Sequence, residues 1–139
     1  LKKHINAPVA VHKDDEYLLK NGKENLSSMM AMGTIELSPD ILLDEGDEIS
    51  FGDLKAKIIH TPGHTPGGIS IKIEDSLFTG DTLFAGSIGR TDFTGSSFES
   101  IISSIKDKLL IYPDDTIVYP GHGPSSTIKG ERASNPFIR

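Results

Sequence analysis

Cysteine is absent from this sequence of 139 residues. Its absence excludes disulfide bonds and thiolate zinc sites together. Any metal ion bound by this chain would therefore need nitrogen and oxygen ligands, which means histidine and carboxylate side chains. The sequence contains five histidines and 20 acidic residues, so ligands of both kinds are present.

Positive charge and long apolar runs are also scarce. The formal net charge is −6 and no basic stripe is visible, which argues against a nucleic-acid partner. No apolar run approaches the roughly 20 residues that span a bilayer, and no signal peptide is recognisable. We therefore expect a cytoplasmic protein with neither nucleic-acid nor membrane partners. The length predicts a single domain over residues 1–139.

Apolar and polar residues alternate along much of the chain, and glycine or proline separates the alternating runs. This pattern predicts strands at residues 8–12, 41–43, 48–51, 54–58, 69–73, 76–79 and 116–119. Helices are predicted from Asp14, over 25–32, from Ser96 and over 129–134. Ser96 and Glu99 form a predicted capping box before an apolar face that begins at Phe98, and residues 82–95 are predicted to be a long loop. The mixture indicates an α/β fold.

Histidine and aspartate follow predicted strands where glycine and proline fix the backbone. His64 lies in Pro-Gly-His-Thr-Pro, His122 lies in Pro-Gly-His-Gly-Pro, and Asp81 follows a glycine. Loops on a rigid scaffold supply metal ligands in this way. We predict that His64, Asp81 and His122 meet at one edge of the fold and bind metal. A turn or helix-capping role is the alternative for Asp81.

Other residues near these loops have open roles. His60 ends its predicted strand, and we interpret it as supporting the metal ligands or packing beside them. Arg90 and Asp92 follow in Gly-Arg-Thr-Asp, where they form either a solvated ion pair or a surface that faces a substrate. His4 and His12 lie outside the pattern and are left out of the predicted site.

Four motifs together resemble the metallo-β-lactamase superfamily, and the glyoxalase II-like hydrolases in particular. In chain order they are His-Thr-Pro-Gly-His-Thr-Pro-Gly at 60–67, Gly-Asp-Thr-Leu-Phe at 80–84, Gly-Arg-Thr-Asp at 89–92 and Tyr-Pro-Gly-His-Gly-Pro at 119–124. The resemblance spans nearly the whole chain. It implies an αββα sandwich, of which this sequence supplies most but not the N-terminal strands.

The resemblance also implies a role for each predicted site residue. His64 matches a histidine of the first metal site, His122 a histidine of the second, and Asp81 the aspartate that bridges both metals and orients the attacking hydroxide. Arg90 matches a basic residue that faces the substrate. Two zinc ions are the implied cofactors, with iron as the alternative metal.

The sequence departs from the family pattern at both ends. The signature His-x-His-x-Asp-His should precede the strand at Pro8, and it is not in this sequence. We therefore expect an N-terminally truncated chain, inactive by itself, in which each metal keeps one histidine and a shared Asp81. The glutathione-binding helical domain of glyoxalase II is also not in this sequence, so the resemblance leaves the thiol part of the substrate open.

The implied activity of the intact form is thioester hydrolysis, with S-lactoylglutathione as a model small-molecule substrate and a metal-bound hydroxide as the nucleophile. One alternative is an iron-dependent persulfide dioxygenase of the same fold. Another is a catalytically incomplete fragment that serves as a structural or interaction domain. In that case an exposed sheet edge would favour a homodimer.

Overall fold

The structure is a computed structural model that describes residues 2–29 and 33–139. The chain divides into two compact units, Leu1–Leu43 and Asp44–Arg139, which we describe in turn. The single domain predicted over 1–139 stays a prediction. None of the helices in the described ranges has the length and apolar character needed to cross a membrane.

The first unit is built around a short parallel pair of strands. Helix α1 (Lys2–Ile5) precedes strand β1 (Ala10–His12), which pairs with β2 (Ile41–Leu43). Between them lie a 3₁₀ turn (Lys13–Asp15), helix α2 (Glu16–Lys20) and a second 3₁₀ turn (Ser27–Met29). The strands predicted at 8–12 and 41–43 are confirmed.

The helical predictions in this unit need two corrections. Asp15 is the N-cap of α2 but makes no side-chain capping bond. The side chain that caps the first turn is His12, whose Nδ1 accepts the Asp14 N–H at 3.2 Å. The helix predicted over 25–32 is only the 3₁₀ turn Ser27–Met29 within the described residues, and its last three positions lie outside them.

The second unit contains a six-stranded sheet and a small hairpin. The sheet order is β10-β9-β6-β5-β4-β3, with β6 and β9 parallel and every other neighbouring pair antiparallel. The strands are β3 (Glu48–Phe51), β4 (Leu54–His60), β5 (Ile69–Ile73), β6 (Ser76–Gly80), β7 (Leu83–Phe84), β8 (Ser87–Ile88), β9 (Ile117–Pro120) and β10 (Ser126–Thr127). Strands β7 and β8 form the separate hairpin, so the long loop predicted over 82–95 is wrong in its first half.

Two helices of this unit supply much of its apolar core. Helix α3 (Phe98–Ser104) continues as a π-helical turn (Ile105–Leu109), and helix α4 (Ile128–Ser134) follows β10. Each large apolar side chain that they bury contributes about 1.5–3 kcal/mol. The core cluster consists of Ile59, Leu77, Leu83, Ile101, Ile105, Leu109, Val118, Ile128 and Ile138.

The beginning of α3 differs by one residue from the predicted capping box. Ser97 is the N-cap, and its Oγ accepts the Ser100 N–H at 3.2 Å. Ser96 is not available for this role because its Oγ closes a turn on both backbone groups of Phe93. Phe98 is 53% exposed, so the buried face of the helix begins at Ile101 instead.

The sheet order brings the predicted ligand loops to one edge. Strands β4 and β6 are both antiparallel to β5, and β9 is parallel to β6. The chain therefore leaves β4, β6 and β9 in the same direction. His64 follows β4, Asp81 follows β6 and His122 follows β9, so sheet topology alone places these residues at a common edge.

Candidate metal centre

The carboxylate of Asp81 lies between two histidine rings. Its Oδ2 is 3.6 Å from Nε2 of His64, and its Oδ1 is 3.6 Å from Nε2 of His122. These separations are longer than hydrogen bonds. Two ligands held tetrahedrally about 2.0–2.1 Å from one zinc ion are roughly 3.4 Å apart. At this spacing each oxygen of Asp81 would be able to share an ion with a different histidine.

The His64 ring is fixed by a backbone contact on its other nitrogen. Its Nδ1 is 2.9 Å from the carbonyl oxygen of Arg90, so Nδ1–H donates and Nε2 faces Asp81. Metal-binding histidines commonly use such a bond to set tautomer and ring orientation. The ring also meets Phe93 edge-on, with 5.8 Å between the ring centroids. The protein itself therefore holds the His64 ring with Nε2 towards Asp81.

The loop that carries His64 is packed tightly against α3. The backbone of Gly63 has φ +147°, and a Cβ there would lie 2.3 Å from Cβ of Ile101. Ser97 N–H donates to the Gly63 carbonyl at 2.8 Å, and Ser104 Oγ donates to the Pro62 carbonyl at 2.8 Å. The glycine before His64 is therefore required both for its conformation and for the close approach of the helix.

His122 lies in a much more open loop. Its side chain is 75% exposed, against 23% for His64. Its ring packs against Phe84 with 4.6 Å between centroids. The preceding Gly121 approaches the site closely, since a Cβ there would lie 2.7 Å from Oδ1 of Asp81. That glycine lets the loop approach Asp81 while the imidazole stays accessible to solvent.

The backbone around Asp81 is held by its neighbours. A Cβ at Gly89 would lie 1.8 Å from the Asp81 carbonyl oxygen, so only glycine fits there. Gly89 N–H donates to the Thr82 carbonyl at 3.0 Å. Beneath the site the buried hydroxyl of Thr61 lies 3.1 Å from that of Ser70 and 3.4 Å from that of Thr82. These contacts join the loops after β4 and β6.

Arg90 and Asp92 form a bidentate ion pair at the mouth of the site. Nε and Nη2 of Arg90 each donate to Asp92 at 2.7 Å, and the guanidinium lies 4.3 Å from the centroid of Phe93. The hydrogen bond from Arg90 lowers the pKa of Asp92 to about 2. Both side chains are exposed. This geometry confirms the ion pair and leaves the substrate role of Arg90 a prediction.

His60 is held by three backbone contacts at the end of β4. Its Nε2 donates to the Pro66 carbonyl at 2.8 Å, which closes the loop around His64. Its N–H donates to Glu45, and its carbonyl accepts from Nζ of Lys108 at 2.7 Å. Because Nε2 is engaged with a backbone oxygen, its position suits the predicted supporting role, which stays a prediction.

The site opens into a cleft of about 360 Å³. Four of the residues that line it, His64, Asp81, Arg90 and His122, belong to the predicted site. The other four, Phe84, Ser87, Ile88 and Gly89, form a largely apolar wall for which no role was predicted. A signal for this wall was present, because the glycine at position 86 ends a short apolar run and is typical of a turn. The structure thus adds one wall of the cleft to the predicted site.

The chain has an α/β fold in which two histidines flank one aspartate at a common edge of the sheet. The sequence matches the family model described as "Metallo-beta-lactamase superfamily" over residues 1–122. The chain therefore belongs to the metallo-β-lactamase superfamily, whose members bind metal.

Two curated relatives are similar along nearly the whole chain. "Hydroxyacylglutathione hydrolase GloC" of Haemophilus influenzae is 39% identical over 142 residues, which cover 99% of this chain and 67% of the relative. "Probable metallo-hydrolase YqgX" of Bacillus subtilis is 37% identical over 134 residues, which cover 94% of this chain and 64% of the relative. The chain thus spans about two thirds of the length of the curated relatives it matches.

Solved structures confirm the fold. The BLEG-1 B3 metallo-beta-lactamase superposes with a TM-score of 0.90 at 37% identity, covering 99% of this chain and 68% of its own. TTHA1623 in a di-iron-bound form superposes with a TM-score of 0.85 at 34% identity, covering 99% of this chain and 68% of its own. ETHE1 from Myxococcus xanthus superposes with a TM-score of 0.74 at 29% identity, covering 97% of this chain and 53% of its own. The predicted metallo-β-lactamase α/β fold is therefore confirmed.

Proposed function

We propose that the whole protein is a metal-dependent hydrolase of acyl thioesters. The observation that best supports a metal site is the placement of Asp81, in which each carboxylate oxygen faces a different histidine nitrogen at 3.6 Å. The similarity to the hydroxyacylglutathione hydrolase GloC supports thioesters as the substrate class. The cytoplasmic location and a homodimer remain predictions from the sequence.

His64, Asp81 and His122 would hold two divalent ions, and zinc suits this set of nitrogen and oxygen donors. When bound, such ions act as Lewis acids and lower the pKa of coordinated water. The three residues give each ion one histidine and a shared carboxylate. A catalytic zinc usually has three protein ligands, so the proposal requires further ligands from the whole protein.

The cleft residues account for substrate binding in this proposal. Phe84 and Ile88 offer an apolar surface to an acyl or thiol chain. The pair with Asp92 uses Nε and Nη2 of Arg90, and the guanidinium has further donors that can bind a substrate carboxylate. In this proposal Asp81 and the fixed ring of His64 hold the metal ions, so the residues that bind the substrate differ from those that support the reaction.

The decisive experiment compares Asp81→Asn with Arg90→Ala in the whole protein. An amide keeps the shape of Asp81 but supplies no negative charge, so we expect loss of bound metal and a rate reduction larger than the roughly 10–100-fold typical of residues that only support a ligand. Stability of the metal-free protein should change by about 1 kcal/mol or less. The measurements are metal content and hydrolysis of S-lactoylglutathione and simpler acyl thioesters on the same samples.

Arg90→Ala serves as the matched control from the same cleft. It removes the guanidinium but keeps the backbone carbonyl that binds His64, so metal should be retained. For acidic thioesters we expect KM to rise roughly tenfold with kcat little changed. If Asp81→Asn keeps both metals and near-normal turnover, Asp81 is a structural residue and the proposed site is wrong.

A second candidate function is an iron-dependent persulfide dioxygenase. The similarity to ETHE1 favours this candidate, and the di-iron form of TTHA1623 supports iron as a possible metal in a similar structure. Metal analysis of the purified whole protein separates the two functions. One iron per chain together with oxygen consumption on a persulfide substrate would replace the hydrolase proposal.

A further inference from the structure

A buried carboxylate on α4 contacts the hairpin that lines the cleft. Glu131 is 3% exposed, and its Oε2 accepts the Gly86 N–H at 3.0 Å and the Asn135 side-chain amide at 2.7 Å. Asn135 is fully buried and also donates to the carbonyl of Ser87 at 3.0 Å. Two polar side chains, one within α4 and one at its C-cap, therefore bind the main chain of the β7–β8 turn.

The burial of Glu131 costs free energy that its hydrogen bonds must offset. Burying a carboxylate carries a large desolvation penalty, and the groups that donate to Glu131 are neutral amides. The segment that they hold is short, because β7 and β8 have two residues each. Gly86, at the turn, has φ +69°. A hairpin this small has little stability of its own, so its position depends on contacts from outside.

The hairpin is one wall of the cleft. Phe84, Ser87 and Ile88 line the cleft together with the predicted metal ligands. Phe84 also packs on the exposed ring of His122, with 4.6 Å between the centroids. Whatever fixes the turn at Gly86 therefore fixes both the surface available to a substrate and the packing partner of His122.

We propose that Glu131 and Asn135 are positioning residues that hold the β7–β8 hairpin as a fixed wall of the substrate cleft. Both residues lie beyond the part of the chain that the family model matches. Neither lines the cleft nor touches the predicted ligands among the described contacts, so they act through the hairpin. The kinetic readout rests on the proposed thioesterase function, whereas a hydrogen-exchange readout does not.

The test is Glu131→Gln in the whole protein. The substituted side chain has the same shape, but a donor nitrogen replaces one of the two oxygens near the Gly86 N–H, and the remaining oxygen is uncharged. We expect the Gly86 amide to exchange at least roughly tenfold faster than in the wild type, while slow amides of the core sheet stay unchanged. We also expect KM for thioesters to rise roughly tenfold, with kcat and metal content retained.

Arg132→Gln is the matched control. Arg132 follows Glu131 on the same helix, but its side chain makes contacts away from the hairpin. Its guanidinium binds Asp114 and the carbonyls of Leu110 and Tyr112. This substitution removes those contacts but leaves the Glu131 carboxylate and the hairpin in place, so Gly86 exchange and KM should stay unchanged. A uniform acceleration of all slow amides by Glu131→Gln would show a general loss of stability and overturn the proposal.

The wild-type protein supplies a readout that needs no variant. Its Gly86 amide should be strongly protected from exchange, and exchange at the rate of an exposed turn would overturn the proposal even if Glu131→Gln does not fold. If the wild-type protein hydrolyses no thioester, the proposed function fails by itself, and the exchange rates of Gly86 still decide whether Glu131 holds the hairpin.

Discussion

The two Pro-Gly-His loops have nearly the same sequence and very different surroundings. In the loop after β4, Gly63 is pressed against Ile101, and the His64 ring donates to a backbone carbonyl. In the loop after β9, the equivalent Gly121 approaches the Asp81 carboxylate rather than a helix, a Cβ at the following Gly123 would meet nothing within 4 Å, and the side chain of His122 is 75% exposed. One histidine ring is fixed by a hydrogen bond to the backbone, and the other is exposed and packs on Phe84.

This difference gives the two candidate ligands different tasks. A ligand already held in its binding geometry loses little conformational entropy when an ion arrives. An exposed ligand pays that cost on binding, but it can move to admit an ion or a substrate. In the proposed metal site, His64 and Asp81 would form the prepared half, and His122 would complete it. Contact with Phe84 links the adjustable half to the wall of the cleft.

The largest expected difference between the two loops is the loss of stability when the same methyl group is added to each. Gly63→Ala would force a Cβ to within 2.5 Å of the Ile101 backbone at φ +147°, and we expect a loss of about 3 kcal/mol of unfolding free energy. Gly123→Ala meets only the cost of its positive φ, about 1 kcal/mol. Urea unfolding of the metal-free protein measures both. Equal losses would show that the loop of His64 is not packed as described.

Removing each imidazole tests the same contrast with a smaller effect. In the metal-free protein, His64→Ala loses the bond to the Arg90 carbonyl and the edge contact with Phe93, and should cost about 1.5 kcal/mol. His122→Ala removes an exposed ring and should cost about 0.5 kcal/mol or less. Both variants should lose metal. A larger stability loss for His122→Ala would reverse the assignment of the fixed and adjustable ligands.

The sequence was sufficient for the parts of the site that depend on residue type at strand ends. His64, Asp81 and His122 each follow a strand beside glycine, and the sheet order brings them together. The fold class also follows from alternation and helical spacing. These features are visible in a sequence because they repeat over several residues or concern residue types with narrow chemical uses.

Other features could not be read because local sequence does not encode them. The carbonyl that holds His64 belongs to Arg90, but any residue type supplies a carbonyl. Glu131 binds the Gly86 N–H across 45 positions of the chain, and no spacing rule reaches so far. The capping-box pattern favoured Ser96 over Ser97, but the turn that Ser96 closes on Phe93 leaves the cap to Ser97.

The smallest predicted effect concerns the ion pair beside the fixed loop. The hydrogen bond from Arg90 lowers the pKa of Asp92 to about 2, below the value of about 3.9 for an unperturbed aspartate. A carboxyl whose pKa is lowered by folding stabilises the folded state above its unfolded pKa. The contribution is lost as the pH falls from about 4 towards 2. The pair should therefore stay intact throughout the neutral and mildly acidic range.

The measurement is a carboxyl-carbon NMR titration of Asp92 in the wild type and in Arg90→Ala. We expect a midpoint near 2 in the wild type and a return to about 4 in the variant, because the charged donor has been removed. His64 should keep its bond to the carbonyl of residue 90 in both proteins, because residue 90 contributes only its backbone to that bond. A wild-type midpoint near 4 would show that Arg90 is not paired in solution, and its whole guanidinium would then be available to a substrate.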